Sequence, residues 1–165
     1  MHKLKTMNDL VAKGRERELF LSVLFRTCIK LQTTFDRYFV RYGMTAQEAA
    51  LLVRCSEAGE ISPGRLALSL GRDQSKVTRF LQRLEARGLI IRKKSRRDHR
   101  SVVLKATSRA RHITPKLTLT FENIRKQLFA GISVSDIERM GLVLSAVLKN
   151  AEKMSSDLKE KKRLP

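Results

Sequence analysis

The chain has 165 residues, enough for one domain or two small ones sharing a core. Its 35 Lys plus Arg against 16 Asp plus Glu give a formal charge of +19, while 42% apolar residues can bury a core and exclude a disordered basic tail. Two cysteines cannot build a disulfide framework, no secretory-type segment opens the chain, and the longest near-continuous apolar stretch, Leu19–Phe25, is too short for a bilayer; a cytoplasmic protein with a polyanionic partner and no membrane is expected.

The first helix carries a heptad-like seam at Leu21, Leu24, Cys28, Leu31, Phe35, Tyr38 and Tyr42, widened by Phe25 and Phe39. Residues 21–42 extend roughly 33 Å at helical rise, and an amphipathic start reaches back to about Asn8. Gly43 ends the helix in the manner of a C′ glycine. Thr45 with Glu48 three residues on forms a capping box for a second helix that stops at Ala58-Gly59. Ile61 adds a single short strand. Ser62-Pro63 opens a short third helix, Gly64 to Leu70, stopped by Gly71. Asp73 caps a fourth, Gln74 to Arg87, stopped by Gly88. Leu89–Ile91 and Ser101–Leu104 are β-branched runs of strand length around the polar, basic loop Arg92–Arg100. Thr107 begins a fifth helix to about Phe129, with a kink expected at Pro115. Ser133–Asp136 caps a sixth, whose seam is Ile137, Met140, Leu144, Val147/Leu148, Ala151, Met154 and Leu158. Residues 159–165 are expected to be a frayed basic tail.

Charge is not spread evenly along this order. Residues 65–111 hold fifteen basic and three acidic residues, +12 of the +19. A concentrated basic segment suggests a docking face for phosphates rather than a diffuse charged surface. Within it, a short helix, a tight turn and a second helix match a helix-turn-helix. Val77, Phe80, Leu81 and Leu84 form the inward stripe of the fourth helix. Ser75, Lys76, Thr78, Arg79, Gln82 and Arg83 face the other way, and Gln74 opens the helix. Small hydroxyls, amides and guanidinium groups there have donors suited to base edges in a major groove. The basic hairpin that follows reads as a wing whose arginines enter an adjacent minor groove. Asp98 among arginines is expected to pair with Arg100 and fix its direction.

These residues carry a resemblance. The stretch from Gly71 to Ile91, GRDQSKVTRFLQRLEARGLII, is similar to the recognition helix of the MarR family of bacterial and archaeal regulators. Arg96–Thr107, RRDHRSVVLKAT, resembles the family's wing, with its Asp-x-Arg signature at Asp98 and Arg100. Met44-Thr45-Ala46-Gln47 resembles the usual opening of the second helix. The likeness runs over roughly residues 10–155. One departure is Ala110, where the family often has glycine early in the fifth helix.

The resemblance implies a mainly α fold with a small β wing: a winged helix-turn-helix DNA-binding domain (45–106) plus a helical dimerisation region (8–42 and 107–158). The implied element order is two helices, a strand, two helices, two strands, two helices. It implies major-groove contacts by Ser75, Lys76, Thr78 and Arg79, with Gln74 and Arg83 in the same set. It places Arg100, oriented by Asp98, in the minor groove, and gives Arg65, Lys93, Lys94, Arg96 and Arg97 to the backbone. It further implies a homodimer on a pseudo-palindromic operator of double-stranded DNA, a repressor's action, and release by a small aromatic or phenolic effector.

No nucleophile–base pair, Gly-rich phosphate loop or carboxylate pair occurs, so the chain is not read as an enzyme. His2, His99 and His112 have no metal-ligand spacing, so no metal and no cofactor are expected. Cys28 and Cys55 are read as small apolar packing residues. Two alternatives stand beside the regulator: a non-specific architectural nucleic-acid-binding protein, and a cysteine-based redox-sensing regulator.

Overall fold

A computed structural model describes residues 15–71, 74–95 and 101–161. In chain order these form α1 (Glu16–Phe39), a 3-10 turn (Val40–Tyr42), α2 (Ala46–Ala58), α3 (Pro63–Ser69), α4 (Gln74–Ala86), strands β1 (Ile90–Lys94) and β2 (Val102–Ala106), α5 (Ser108–Leu128) and α6 (Val134–Lys161). The fold is mainly helical with a small antiparallel wing, as the sequence implies. The chain divides into two compact units after Ile124, and each is described by itself.

Local chemistry sets the ends of these helices. Gly43 has φ +64, a left-handed conformation that L side chains rarely adopt, and it ends the 3-10 turn. Thr45 Oγ1 accepts from the Glu48 N–H at 3.2 Å, and Glu48 Oε2 accepts from the Thr45 N–H at 2.9 Å, which completes the capping box. Asp36 near the end of α1 also accepts from the Ala46 N–H at 2.8 Å, placing a negative charge at the N-terminus of α2. Ser62 caps α3, with Pro63 at the first helical position. Thr107 caps α5 by accepting from the Ala110 N–H at 3.2 Å. In the second unit, Ser133 caps α6 by accepting from the Asp136 N–H at 3.1 Å. The expected Asp73 cap of α4 lies outside the described residues.

The first helix, expected to reach Tyr42, gives way to the 3-10 turn after Phe39. Three further boundaries differ from the sequence reading. The strand expected at Ile61 is a single antiparallel bridge to Leu104, held by reciprocal backbone bonds of 3.2 and 2.8 Å. Glu60 and Ser62 on either side are a turn residue and a helix cap, so the chain has no length for a ladder. The paired strands are longer than their β-branched runs. Arg92, Lys93 and Lys94 pair with Leu104, Val103 and Val102. A ladder is built from backbone groups, so basic residues are admitted wherever their side chains reach solvent. Finally, α6 continues to Lys161, three residues into the segment expected to fray.

The core of the first unit gathers one stripe from each element. Leu51 and Leu52 of α2, Leu66 of α3, Leu81 and Leu84 of α4, and Leu104 of β2 are all at most 1% exposed. Phe39 at the end of α1 joins them, packed against Phe121 with the rings tilted and their centroids 4.5 Å apart. Phe35, one turn earlier, packs half-buried against this core, and most of the rest of α1 stays outside it. Of its seam, Leu21 is 47% exposed, Cys28 is exposed, and the flanking Phe25 and Ile29 are each 65% exposed. In the second unit the seam of α6 is also open, with Met154 at 65% and Leu158 at 61%.

Candidate nucleic-acid interface

The fourth helix has two chemically opposite faces because its apolar residues recur at steps of three and four. Val77, Leu81 and Leu84 are 1% exposed or less, and Phe80 is half-buried. Ser75, Lys76, Arg79 and Gln82 are exposed on the other side, with Thr78 half-buried between the faces. The inward stripe therefore fixes which residues are presented. Lys93 and Lys94 of β1 and Arg65 of α3 are exposed as well. The side chain of Gln74, together with Arg72, Arg96, Arg97, Asp98, His99 and Arg100, lies outside the described residues, and so does the expected Asp98–Arg100 pairing.

Not every basic residue of this segment faces outward for a ligand. Arg83 donates from Nε to Glu48 Oε1 at 2.5 Å, and its guanidinium lies 5.0 Å from the Phe80 ring centroid. Burial by itself raises the pKa of Glu48. Bonds from the Thr45 N–H, the Arg83 guanidinium and the Thr45 hydroxyl outweigh that effect and hold the carboxyl below the ordinary range. Arg87 donates to the carbonyls of Gly43 and Tyr42 at 2.6 and 2.8 Å. Arg92 meets Glu85 at 3.0 Å, tying β1 to α4. Lys105 meets Glu60 at 3.6 Å. Arg111 donates to the Ala106 carbonyl at 2.9 Å. The basic segment thus divides into a scaffold set and a presented set.

Sequence reasoning assigned Glu48 to its cap alone and gave no role to Arg87. Both partners lie 35 to 45 residues away in the chain, beyond the reach of local spacing rules. One signal was available: Arg83 and Arg87 are i and i+4, so they share a row of α4.

The two cysteines differ. Cys55 is buried in the core, and burial pushes its thiol pKa up to about 11, so it is not a ready nucleophile. Cys28 is exposed on the α1 seam, contrary to the buried packing expected of it. A cleft of about 230 Å³ opens between the end of α1, α2, α3 and α5, lined by Phe35, Ala46, Gln47, Ala50, Leu51, Leu70 and Phe121. Its walls are apolar except for the Gln47 amide. Among the described residues, no cluster of His, Cys, Asp and Glu could hold a metal ion, and no helix is long and apolar enough to cross a membrane.

Comparison with known proteins gives this geometry a context. Residues 44–102, from the corner before α2 to the start of β2, match the model of the MarR family. The chain is 25% identical over 141 residues to the transcriptional repressor MprA of Escherichia coli K12, covering 82% of this chain and 80% of MprA. Its fold is similar to that of S. aureus MepR in a MepR–DNA complex, with TM-score 0.69, 20% identity, and coverage of 79% of this chain and 95% of that one. It is also similar to CouR from Rhodococcus jostii RHA1 bound to p-coumaroyl-CoA, with TM-score 0.67, 22% identity, and coverage of 76% and 88%. The matched segment holds the helix-turn-helix and β1, the region where the presented basic face is built. Residues 44–102 therefore match the MarR family, and over most of its length the chain is similar to transcriptional regulators of known sequence.

Proposed function

We propose that the chain is a cytoplasmic, homodimeric repressor that binds a pseudo-palindromic operator in a sequence-specific manner. The observation that carries this reading is the presented face of α4. A helix locked into the core by one stripe offers hydroxyls, a lysine and an arginine on the other, at the end expected to enter a major groove. Ser75, Lys76, Thr78 and Arg79, with Gln74 before them, contact bases and neighbouring phosphates. Arg83 lies at the far end of this row, tethered to Glu48. Lys93, Lys94 and Arg65 contact the DNA backbone. Arg96 and Arg97 join them on the backbone, and Arg100, oriented by Asp98, enters the minor groove.

The exposed seam of α1 and, separately, that of α6 support a dimer, since apolar stripes of this length are ordinarily covered. Two recognition helices then sit roughly 34–36 Å apart, one turn of duplex. The repressor name of MprA and the DNA-bound state of MepR support the direction and the ligand. The apolar cleft at Phe35, Gln47 and Phe121 is our site for a small aromatic or phenolic effector, and the p-coumaroyl-CoA bound to CouR supports the existence of an effector. Effector binding shifts the population toward a conformer of lower DNA affinity.

A competition binding assay at near-physiological salt tests the reading. A duplex selected by the protein from a random pool is expected to bind about a thousandfold more tightly than random DNA. Arg79→Ala should cost about 1–3 kcal/mol on that duplex and relax preference at the base it reads. Equal affinity for selected and random duplexes would instead identify a non-specific architectural protein.

A further inference from the structure

Arg83 and Arg87 reach the same corner of the molecule, residues 42–48, where the end of α1 passes into α2. Arg83 meets the Glu48 carboxylate there. Arg87 sends Nη1 to the Gly43 carbonyl at 2.6 Å and Nη2 to the Tyr42 carbonyl at 2.8 Å. These carbonyls close the helical run of α1, where unpaired C=O groups and the helix dipole concentrate negative partial charge. A guanidinium is a rigid planar fork, so two bonds to two fixed acceptors set its direction as well as its distance. Gly43 is fitted to this grip, because a Cβ at that position would lie 3.2 Å from Arg87 Nη2. Next to Arg87, the Gly88 carbonyl accepts from the Thr107 hydroxyl at 2.9 Å. The turn that follows α4 is thereby fixed to both the end of the 3-10 turn after α1 and the start of α5.

We propose that Arg87 is a positioning residue for DNA recognition, locking the recognition helix to the end of α1 so that the placement of the two α1 helices in a dimer sets the spacing of the two reading helices. The inference rests on the DNA-regulator reading above. Arg87 acts through α4 and makes no base contact of its own. Its signature is therefore spacing. A phosphate contact alters affinity for every duplex alike, whereas a positioning bond alters tolerance of half-site separation.

The test uses the full-length chain as wild type, Arg87→Met and Arg87→Lys. Each is titrated at one salt concentration with the operator selected by the wild type, with the same operator carrying one base pair more or fewer at its centre, and with random duplex. Arg87→Met should bind the operator about tenfold more weakly. It should bind random duplex almost as the wild type does, and discriminate less between matched and shifted spacing. Arg87→Lys, whose point charge can serve one carbonyl, should fall between them. Equal weakening on all duplexes would overturn the proposal, because it marks a phosphate contact. An unchanged spacing ratio would also overturn it. If Arg87→Met does not fold, Arg87→Lys carries the same decision: a reduced ratio supports the lock and an unchanged one refutes it. A wild type that selects no operator refutes the DNA-regulator reading and the lock together. A selected operator with an unchanged ratio in the variants refutes the lock alone.

Discussion

Helices α1 and α4 both carry apolar stripes and treat them in opposite ways. The α4 stripe of Val77, Leu81 and Leu84 is covered within the chain, whereas α1 buries Phe39 alone. Periodicity declares that a face is to be covered but not by what. For α4 the cover is α2, α3 and β1 of the same chain. For α1 we assign it to a second copy. One stripe should therefore govern folding and the other assembly.

The largest expected effect separates these two roles. Leu84→Ala in the winged core should lower the unfolding free energy by about 2–5 kcal/mol, read by urea denaturation at any protein concentration. Leu31→Glu on the α1 seam should instead move the sedimentation profile toward monomer at micromolar protein. If Leu31→Glu left the dimer intact, the seam would not be the interface.

Next in size is the Glu48 link between α2 and α4. Glu48→Gln should cost about 1.5–3 kcal/mol, because the Arg83 guanidinium loses its carboxylate partner. The effect has a pH signature. The folded-state pKa of Glu48 is lowered from the ordinary 4.5, so its stabilisation is complete above about pH 4.5 and is lost as pH falls through the folded value. Melting of wild type and Glu48→Gln should converge at the acid end. A constant gap in melting temperature down to pH 3 would contradict this.

Alkylation compares the same two regions without a substitution. Cys55 should stay unmodified in the native protein at neutral pH, since its thiol is buried with a pKa of about 11. Cys28 should react readily in a monomeric Leu31→Glu protein and slowly in wild type, where the partner covers it. Equal rates in both backgrounds would count against an interface at Cys28. The smallest effect belongs to Lys94→Ala, which should weaken all duplexes alike and flatten the salt dependence by about one unit of slope.

How far the sequence can be read follows from distance along the chain. The capping box at Thr45 and Glu48, the Ser62-Pro63 start and the Gly43 stop are local, and each is found where its spacing puts it. The two faces of α4 are equally local, so its presented residues were legible. Long-range partners were not: nothing in the neighbourhood of Arg87 points to carbonyls at positions 42 and 43. Strand length was misread for a related reason. Lys93 and Lys94 look like loop residues by composition, yet β2 supplies the backbone partners that make them strand. The exposure of Cys28 was not legible because periodicity marks an apolar face without saying whether the chain itself covers it.

The pairing of β1 has a consequence for solubility. Among the described residues, β1 is hydrogen-bonded to β2 on one side alone, while β2 is also bridged to Ile61. An open strand edge is a template for pairing with another chain, and charged side chains are a common guard against it. Arg92, Lys93 and Lys94 line this strand. The lysines that we assign to the DNA backbone thus also keep the wing from recruiting further wings. Removing both in favour of β-branched apolar residues would confuse lost affinity with self-association, so glutamine is the cleaner replacement.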